Sequence, residues 1–343
     1  MELDRYIEDI ENRLDENTEQ AISDMWEKWC SHEAYTGVNR PGTASKLDWK
    51  PVNINDAFAD DDTMLYSELY NVHHRLSIQG NYVLRMRANY GVGNVASAFG
   101  AKTFIMPYEA NTLPNVIKLG EDECAALADR PMPDVKAGHF AAVYRFAERI
   151  REIRKIYPKF ARFIHIEQPD LQGPMDNLEL LYGSDVFYAL YDEPELIHEL
   201  LEKITMFIEK EFEYWLSLFP DNKRYANFFR HIEHGSLCIR NDSAMNLSPD
   251  FYEEFIVPYD GRLLKKYGGI VHFCGRGDHF ISCLSRLEGL KGINMSQPHL
   301  NNMEKIFSET IDRGIHLTLS VPKFEVKNHK TENLLFLYDG AKG

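Results

Sequence analysis

Two residues of the kind that bind a borderline-soft metal stand two positions apart in Ile270-Val-His272-Phe-Cys274-Gly275. In a strand, that spacing puts both side chains on one face. Imidazole and thiolate suit an ion such as Zn²⁺, and two of them at a strand's end make half of a tetrahedral site. The competing reading is a packed cysteine beside a histidine satisfied by backbone. Further polar residues collect where other β-prone runs end. Arg85-Met-Arg87-Ala-Asn89-Tyr90, His165-Ile-Glu167-Gln168 and Arg240-Asn241-Asp242 each carry polar or ionisable residues at same-face spacing. Tyr108-Glu109-Ala-Asn111 follows a fourth run, and Asn294-Met-Ser296-Gln297, with His299 just beyond, follows a fifth.

Each residue type carries its own chemistry. Arg85 and Arg87 suit bidentate recognition of substrate carboxylates, or ion pairing with Glu109 or Asp242. Tyr90, Glu109, Arg240, Ser296 and His299 are further candidates for contact with a substrate. Glu167 and Asp242 are the candidate catalytic carboxylates; Glu167 is also a candidate third metal ligand, unless it simply hydrogen-bonds His165. In Ser248-Pro249-Asp250 the serine caps a helix whose first residue is proline, which leaves Asp242 free to face the site. Cys283, two turns into a helix beside Ile281 and Leu284, reads as core.

The elements that must position these groups alternate. Candidate strands cover 82–88, 102–107, 160–166, 236–241, 269–273, 291–295 and 314–320, with Leu334 to Leu337 as an eighth. Helical patterns lie between them at 139–156, 193–218, 249–267 and 302–313, which argues for parallel strands with crossover helices. In a barrel of this kind the chemistry sits at the C-terminal ends of the strands, where the polar residues above fall. Gly91-Val-Gly93-Asn lacks the third glycine of a dinucleotide fingerprint, so an open doubly wound sheet is less favoured. Residues 1–80 read as a mainly helical extension: an amphipathic helix or broken pair over 2–30, a Pro/Gly/Asn/Asp-rich connection over 39–62, and a helical patch near 65–76. Residues 81–343 form the expected barrel.

Composition narrows the function further. With 44% hydrophobic residues in 343, the chain can bury a large core. A formal charge of −15 opposes binding to nucleic acid or an anionic membrane. The acidic amphipathic N-terminus lacks a secretory pattern and no apolar run reaches the roughly 20 residues of a membrane span. Five scattered cysteines without a Cys-x-x-Cys pair suit a reducing compartment, so the expectation is a cytoplasmic protein.

Asn241-Asp-Ser-Ala-Met-Asn-Leu-Ser-Pro-Asp-Phe-Tyr-Glu-Glu-Phe-Ile-Val-Pro-Tyr259, followed by Val271-His-Phe-Cys-Gly275, resembles the uroporphyrinogen decarboxylase superfamily, nearer its corrinoid and coenzyme M methyltransferase branch. Gln172-Gly-Pro-Met-Asp176 and Asp192-Glu-Pro-Glu-Leu-Ile-His-Glu-Leu-Leu201 are similar to the family's Gly-Pro segment and the helix after it. The resemblance spans roughly 82 to 320 and implies an α/β, TIM-type (β/α)₈ barrel. For the methyltransferase branch it implies zinc on a His-x-Cys pair like His272 and Cys274, plus a later cysteine. No cysteine follows Cys283, so a third ligand must come from elsewhere, with Glu167 as the candidate. The decarboxylases carry Arg-Gln-Ala-Gly-Arg where this chain has Arg85-Met-Arg-Ala-Asn-Tyr-Gly91. The implied function is methyl transfer between a small substrate or thiol and a corrinoid, with zinc at the barrel mouth. The alternatives are a metal-free decarboxylase of a tetrapyrrole or other polycarboxylate, and a non-catalytic barrel that binds a corrinoid or small ligand. Expected partners are a small-molecule substrate, a corrinoid protein and a second copy of the chain.

Overall fold

A computed structural model describes residues 3–228, 231–321 and 325–336. Its strands are, in chain order, β1 Arg85–Arg87, β2 Lys102–Phe104, β3 Asn115–Ile117, β4 His165–Glu167, β5 Tyr225–Phe228, β6 His231–His234, β7 Leu237–Arg240, β8 Gly269–Phe273, β9 Leu290–Met295, β10 His316–Leu319 and β11 Leu334–Phe336. β7 to β11 lie side by side in chain order as one parallel sheet, and β1 pairs with β4 in a parallel pair. All five residues of β8 are buried, as a parallel strand covered on both faces requires.

A side chain links the pair to the sheet. The Gln168 amide donates to the Cys238 carbonyl at 2.8 Å and accepts from the Cys238 N–H at 3.0 Å, standing in for a ladder residue between β4 and β7. Beyond it, Gln172 bridges to Arg240 and the Gly173 N–H donates to the Arg240 carbonyl at 2.6 Å. A Cβ at Gly173 would meet the Arg240 carbonyl and the Asn241 amide, so glycine is needed for this close approach.

The hairpin β5–β6 lies across the sheet. Its Ala226 packs on Cys238 and Ile270, and its Glu233 passes Gly292, where a Cβ would come 3.4 Å from Glu233 Cγ. Glu233 Oε2 pairs with His316 Nδ1 at 2.5 Å, and the His316 ring stacks on Trp29 at 4.3 Å and on His32 at 4.1 Å. The hairpin therefore closes the sheet face below the strand ends.

The first 80 residues hold the helices Asp4–Arg13, Glu16–Cys30, Ile54–Ala59 and Asp61–Ser77, so the predicted broken pair is two helices. Asp15 and Asp60 cap two of them, accepting from the Thr18 and Thr63 N–H groups. The first buries Tyr6, Ile7 and Ile10, one stripe of its surface. The longest helix, Pro194–Leu218, starts with proline at its first turn and buries Ile197, Leu201, Ile204, Ile208, Phe212 and Trp215 at intervals of three and four.

Several expected elements differ. The run 102–107 does not join the parallel sheet; β2 pairs antiparallel with β3. Period-two alternation does not distinguish the two pairings. The strand expected at 160–166 is preceded by a helix, Pro158–Phe163, because Pro158 suits a first helical turn, and β4 starts only at His165. The helix 249–267 is two, Pro249–Phe255 and Val257–Tyr267: Pro258 has no N–H to donate to the carbonyl of Glu254. The helix 302–313 stops at Glu309 and ends in a 3₁₀ turn, Ile311–Arg313. β11 covers Leu334–Phe336, and Leu337 lies outside the described residues.

Candidate metal centre

Strand register builds the site. Arg240, His272, Asn294 and Thr318 are successive partners across β7, β8, β9 and β10, so their side chains form one row on one face of the sheet. Asn294 donates through Nδ2 to Thr318 Oγ1 at 2.8 Å, which directs its carbonyl oxygen at His272 Nδ1, 2.6 Å away. Nδ1 therefore carries the proton, and the lone pair lies on Nε2. Nε2 is 3.3 Å from Cys274 Sγ and 3.7 Å from Asp242 Oδ1. A tetrahedral zinc with ordinary bond lengths separates its ligand atoms by about 3.3–3.8 Å. Asp242, His272 and Cys274 are, among the described residues, the group whose ligand atoms lie close enough to share one ion.

The electrostatics suit that role. Burial, reinforced by Arg240, lowers the His272 pKa against the pull of Asp242, which favours the neutral imidazole that ligates. Burial and the neighbouring Asp242 carboxylate raise the Cys274 thiol to about 11, so without a cation beside it the sulfur keeps its proton at neutral pH. Cys274 donates its backbone N–H to Asp242 Oδ1 at 2.6 Å, fixing the two loops relative to each other. Asp176, on the helix Pro174–Tyr182, accepts from the Asp242 and Ser243 N–H groups at 2.8 and 2.9 Å and so shapes the turn that carries Asp242. A cleft of about 300 Å³ beside Asp242 is lined by Val92, Gln172, Asp176, Glu179, Leu180, Ser243 and Asn246.

Glu167 is engaged elsewhere. It is the register partner of Arg87, lies two residues beyond Arg85's partner His165, and its carboxylate takes a short ion pair from Arg85. The geometry thus groups Asp242, rather than Glu167, with His272 and Cys274. Arg87 pairs with Asp170 at 3.2 Å and bonds Asn89; Arg240 pairs with the same Asp170 at 2.5 Å, and Gln172 also donates to it. Among the described residues, the ion pairs of Arg85 and Arg87 run to Glu167 and Asp170 rather than to the expected Glu109 or Asp242. Glu68 accepts the Arg87 backbone N–H at 2.9 Å, and burial raises its pKa. The arginines are thus neutralised by the chain's own carboxylates.

Of the other expected contact residues, Ser296 lies beside Cys274 and the rest are dispersed. Tyr90 is buried, packs edge-on to Phe58 and donates to Asp61 at 3.2 Å. Glu109 is exposed in the turn Tyr108–Ala110, and His299 is exposed in the turn Pro298–Leu300. Ser296 is half-buried after β9 and hydrogen-bonds Cys274. His165 faces a different cavity at the start of β4. Ser248 caps its helix by accepting from the Phe251 N–H at 3.2 Å. Cys283 packs half-buried against the core. Sequence reading assigned no role to Asp170, Asp176 or Asn294. Asn294 was accessible to it, being apolar-flanked and on the same face as Ser296; Asp170 and Asp176 lie past strand ends, where the period-two rule stops applying.

No family model matches the sequence, and no curated protein matches it. Among solved structures, the fold is similar to that of a methyltransferase from Methanosarcina mazei, with a TM-score of 0.62 over 92% of this chain and 92% of that chain at 13% identity. At that identity the likeness is one of fold.

Proposed function

We propose that the protein is a methyltransferase-like enzyme in which Asp242, His272 and Cys274 hold a zinc ion, and that it moves a methyl group between a small substrate or thiol and a corrinoid presented by a partner protein. The proposal takes the parallel strands as part of a (β/α)₈ barrel over 81–343, with residues 1–80 as its helical extension. It also takes the site to lie at the strands' C-terminal ends. The observation that carries it is the convergence of three ligand atoms at a histidine whose Nδ1 is bonded to Asn294, so that its Nε2 faces Asp242 and Cys274. Such second-layer bonds are what orient metal-binding imidazoles. The similarity in fold to a methyltransferase is consistent with it.

Zinc in this position would deprotonate a bound thiol near neutral pH or polarise an oxygen next to a methyl group. His272 would bring a neutral nitrogen to the ion, and Cys274 and Asp242 would bring the anionic ligands. Asn294 holds the imidazole in the required tautomer. The cleft at Gln172 and Glu179 gives the substrate its entry, and the hairpin β5–β6 closes the far side and limits access of water. The decarboxylase alternative would need Arg85, Arg87 or Arg240 to exchange Glu167 and Asp170 for substrate carboxylates, each exchange giving up an ion pair that a buried carboxylate now holds.

The test is elemental analysis of tag-free protein, followed by transfer of methyl from methylcobalamin to a simple thiol. About one zinc per chain is expected. Cys274→Ser and His272→Ala should lose both zinc and transfer while keeping a wild-type circular dichroism spectrum. Wild-type protein without zinc, or transfer that survives His272→Ala, would reject the proposal.

A further inference from the structure

A second cavity opens at the start of β4, away from the strand ends that carry the metal-ligand group. It has a volume of about 700 Å³ and lies between the helix Pro158–Phe163, the turn Pro220–Lys223 and β5. That volume is within the range of small-molecule sites, roughly 300–1,000 Å³. Its charged lining is four cations, Arg154, Arg162, Lys223 and Arg224, against one carboxylate, Asp221. In a chain of net charge −15 this local excess runs against the background.

The cations retain donors to offer. Arg154 uses one terminal nitrogen, bonding the Ala161 carbonyl at 2.7 Å and Asp221 at 2.8 Å. Arg224 uses one, toward Glu27, and Arg162 pairs with Glu16 and Gln20. The Arg162 and Arg224 pairs are exposed, and such pairs are worth about 1 kcal/mol or less, so a ligand displaces them readily. Lys223 forms no ion pair among the described residues. At the inner wall stands His165, whose ring nitrogens have no hydrogen-bond partner among the described residues. Burial, with Arg154 nearby, holds its pKa down at about 4, so at neutral pH it offers one N–H and one lone pair. The floor is ordered: Asn222 Nδ2 bonds the Ile166 carbonyl at 2.5 Å, which ties the turn to β4.

We propose that this cavity binds a small oxyanion carrying two or more negative charges, the chemistry shared by phosphate esters and tricarboxylates. Arginine forks and a lysine recognise either by bidentate and point-charge contacts. His165 and Arg154 meet the part of the ligand that enters deepest, and Lys223 and Arg224 hold the rim.

The experiment is calorimetric titration of the full chain at low salt with inorganic pyrophosphate and, separately, with citrate. Saturable binding of either, with a Kd of about 1 mM or tighter, is expected, and the tighter of the two names the source. Lys223→Ala/Arg224→Ala changes only exposed side chains and should weaken binding at least about tenfold; His165→Gln should weaken it with no change in melting temperature. His272→Ala should bind as wild type. Absence of saturation by about 10 mM, binding unaffected in the double variant, or binding lost in His272→Ala would each overturn the proposal.

Discussion

His272 and Asn294 are direct register partners on β8 and β9, and the Asn294 carbonyl oxygen sits 2.6 Å from His272 Nδ1. The pair makes the tautomer of a candidate ligand a property of the sheet, since Asn294 is itself held by Thr318 on the next strand. Asn294→Leu keeps volume and removes the side-chain bonds to His272 and Thr318. It should weaken zinc binding about 10- to 100-fold in a chelator competition, with about 1–3 kcal/mol lost from stability for the stranded partners. Unchanged zinc affinity would show that the imidazole needs no such support.

Arg40 and Glu19 form a buried bidentate pair, at 2.7 and 2.5 Å, that joins the connection after the second helix to that helix. Arg40→Ala leaves the carboxylate alone and should cost about 3–5 kcal/mol. Replacing both by methionine should recover most of that loss. Urea midpoints of the single and double variants measure the difference.

Glu211 is fully buried on the long helix; Tyr144 donates to one of its oxygens at 2.6 Å and the other has no partner among the described residues. Burial raises its pKa to about 8. The folded protein therefore holds a proton that the unfolded chain releases above its ordinary carboxylate pKa. The contribution to stability is fully present below that ordinary value and is lost as pH rises toward 8, at a slope of about 1.4 kcal/mol for each step of one in pH. Buried Asp260, raised to about 7, acts in the same direction. Denaturation midpoints measured from pH 5 to pH 8 should fall in the wild type and fall less steeply in Glu211→Gln.

Two glycines give opposite expectations. Gly269 opens β8 at φ +141°, and a Cβ there would collide with the Leu237 carbonyl, so Gly269→Ala should abolish soluble expression. Gly261 lies within the helix Val257–Tyr267, and a Cβ there meets only Leu287 Cδ2 at 3.4 Å. Gly261→Ala should stabilise by about 0.5–1 kcal/mol, read as a rise in melting temperature.

The legible parts of this fold were the local ones. His272 and Cys274 share a strand face because the period of a strand says so, and Ser248 caps its helix because serine before proline does so regardless of context. Asp242 belongs beside them only through the register of β7 on β8, which no local pattern encodes. The role of Arg85 was open for the same reason: Glu167 lies across a strand pair 82 residues away. The hairpin β5–β6 was missed because His231, Glu233 and His234 look like surface loop. What buries Glu233 is His316, 83 residues on, capped by Trp29.

The stack of Trp29 on His316 also sets an order of events. Ile22, Met25, Trp26 and Trp29 form the apolar stripe of the second helix, and their cover includes Ile232 and the His316 ring. At a synthesis rate of about 5–20 residues per second, His316 follows Trp29 by roughly 15–60 s. Through that interval the face of Trp29 that His316 covers is open to water or a chaperone. The second helix is made early and its Trp29 is covered late, so a ribosome stalled before β10 would leave a chain prone to aggregate near its beginning.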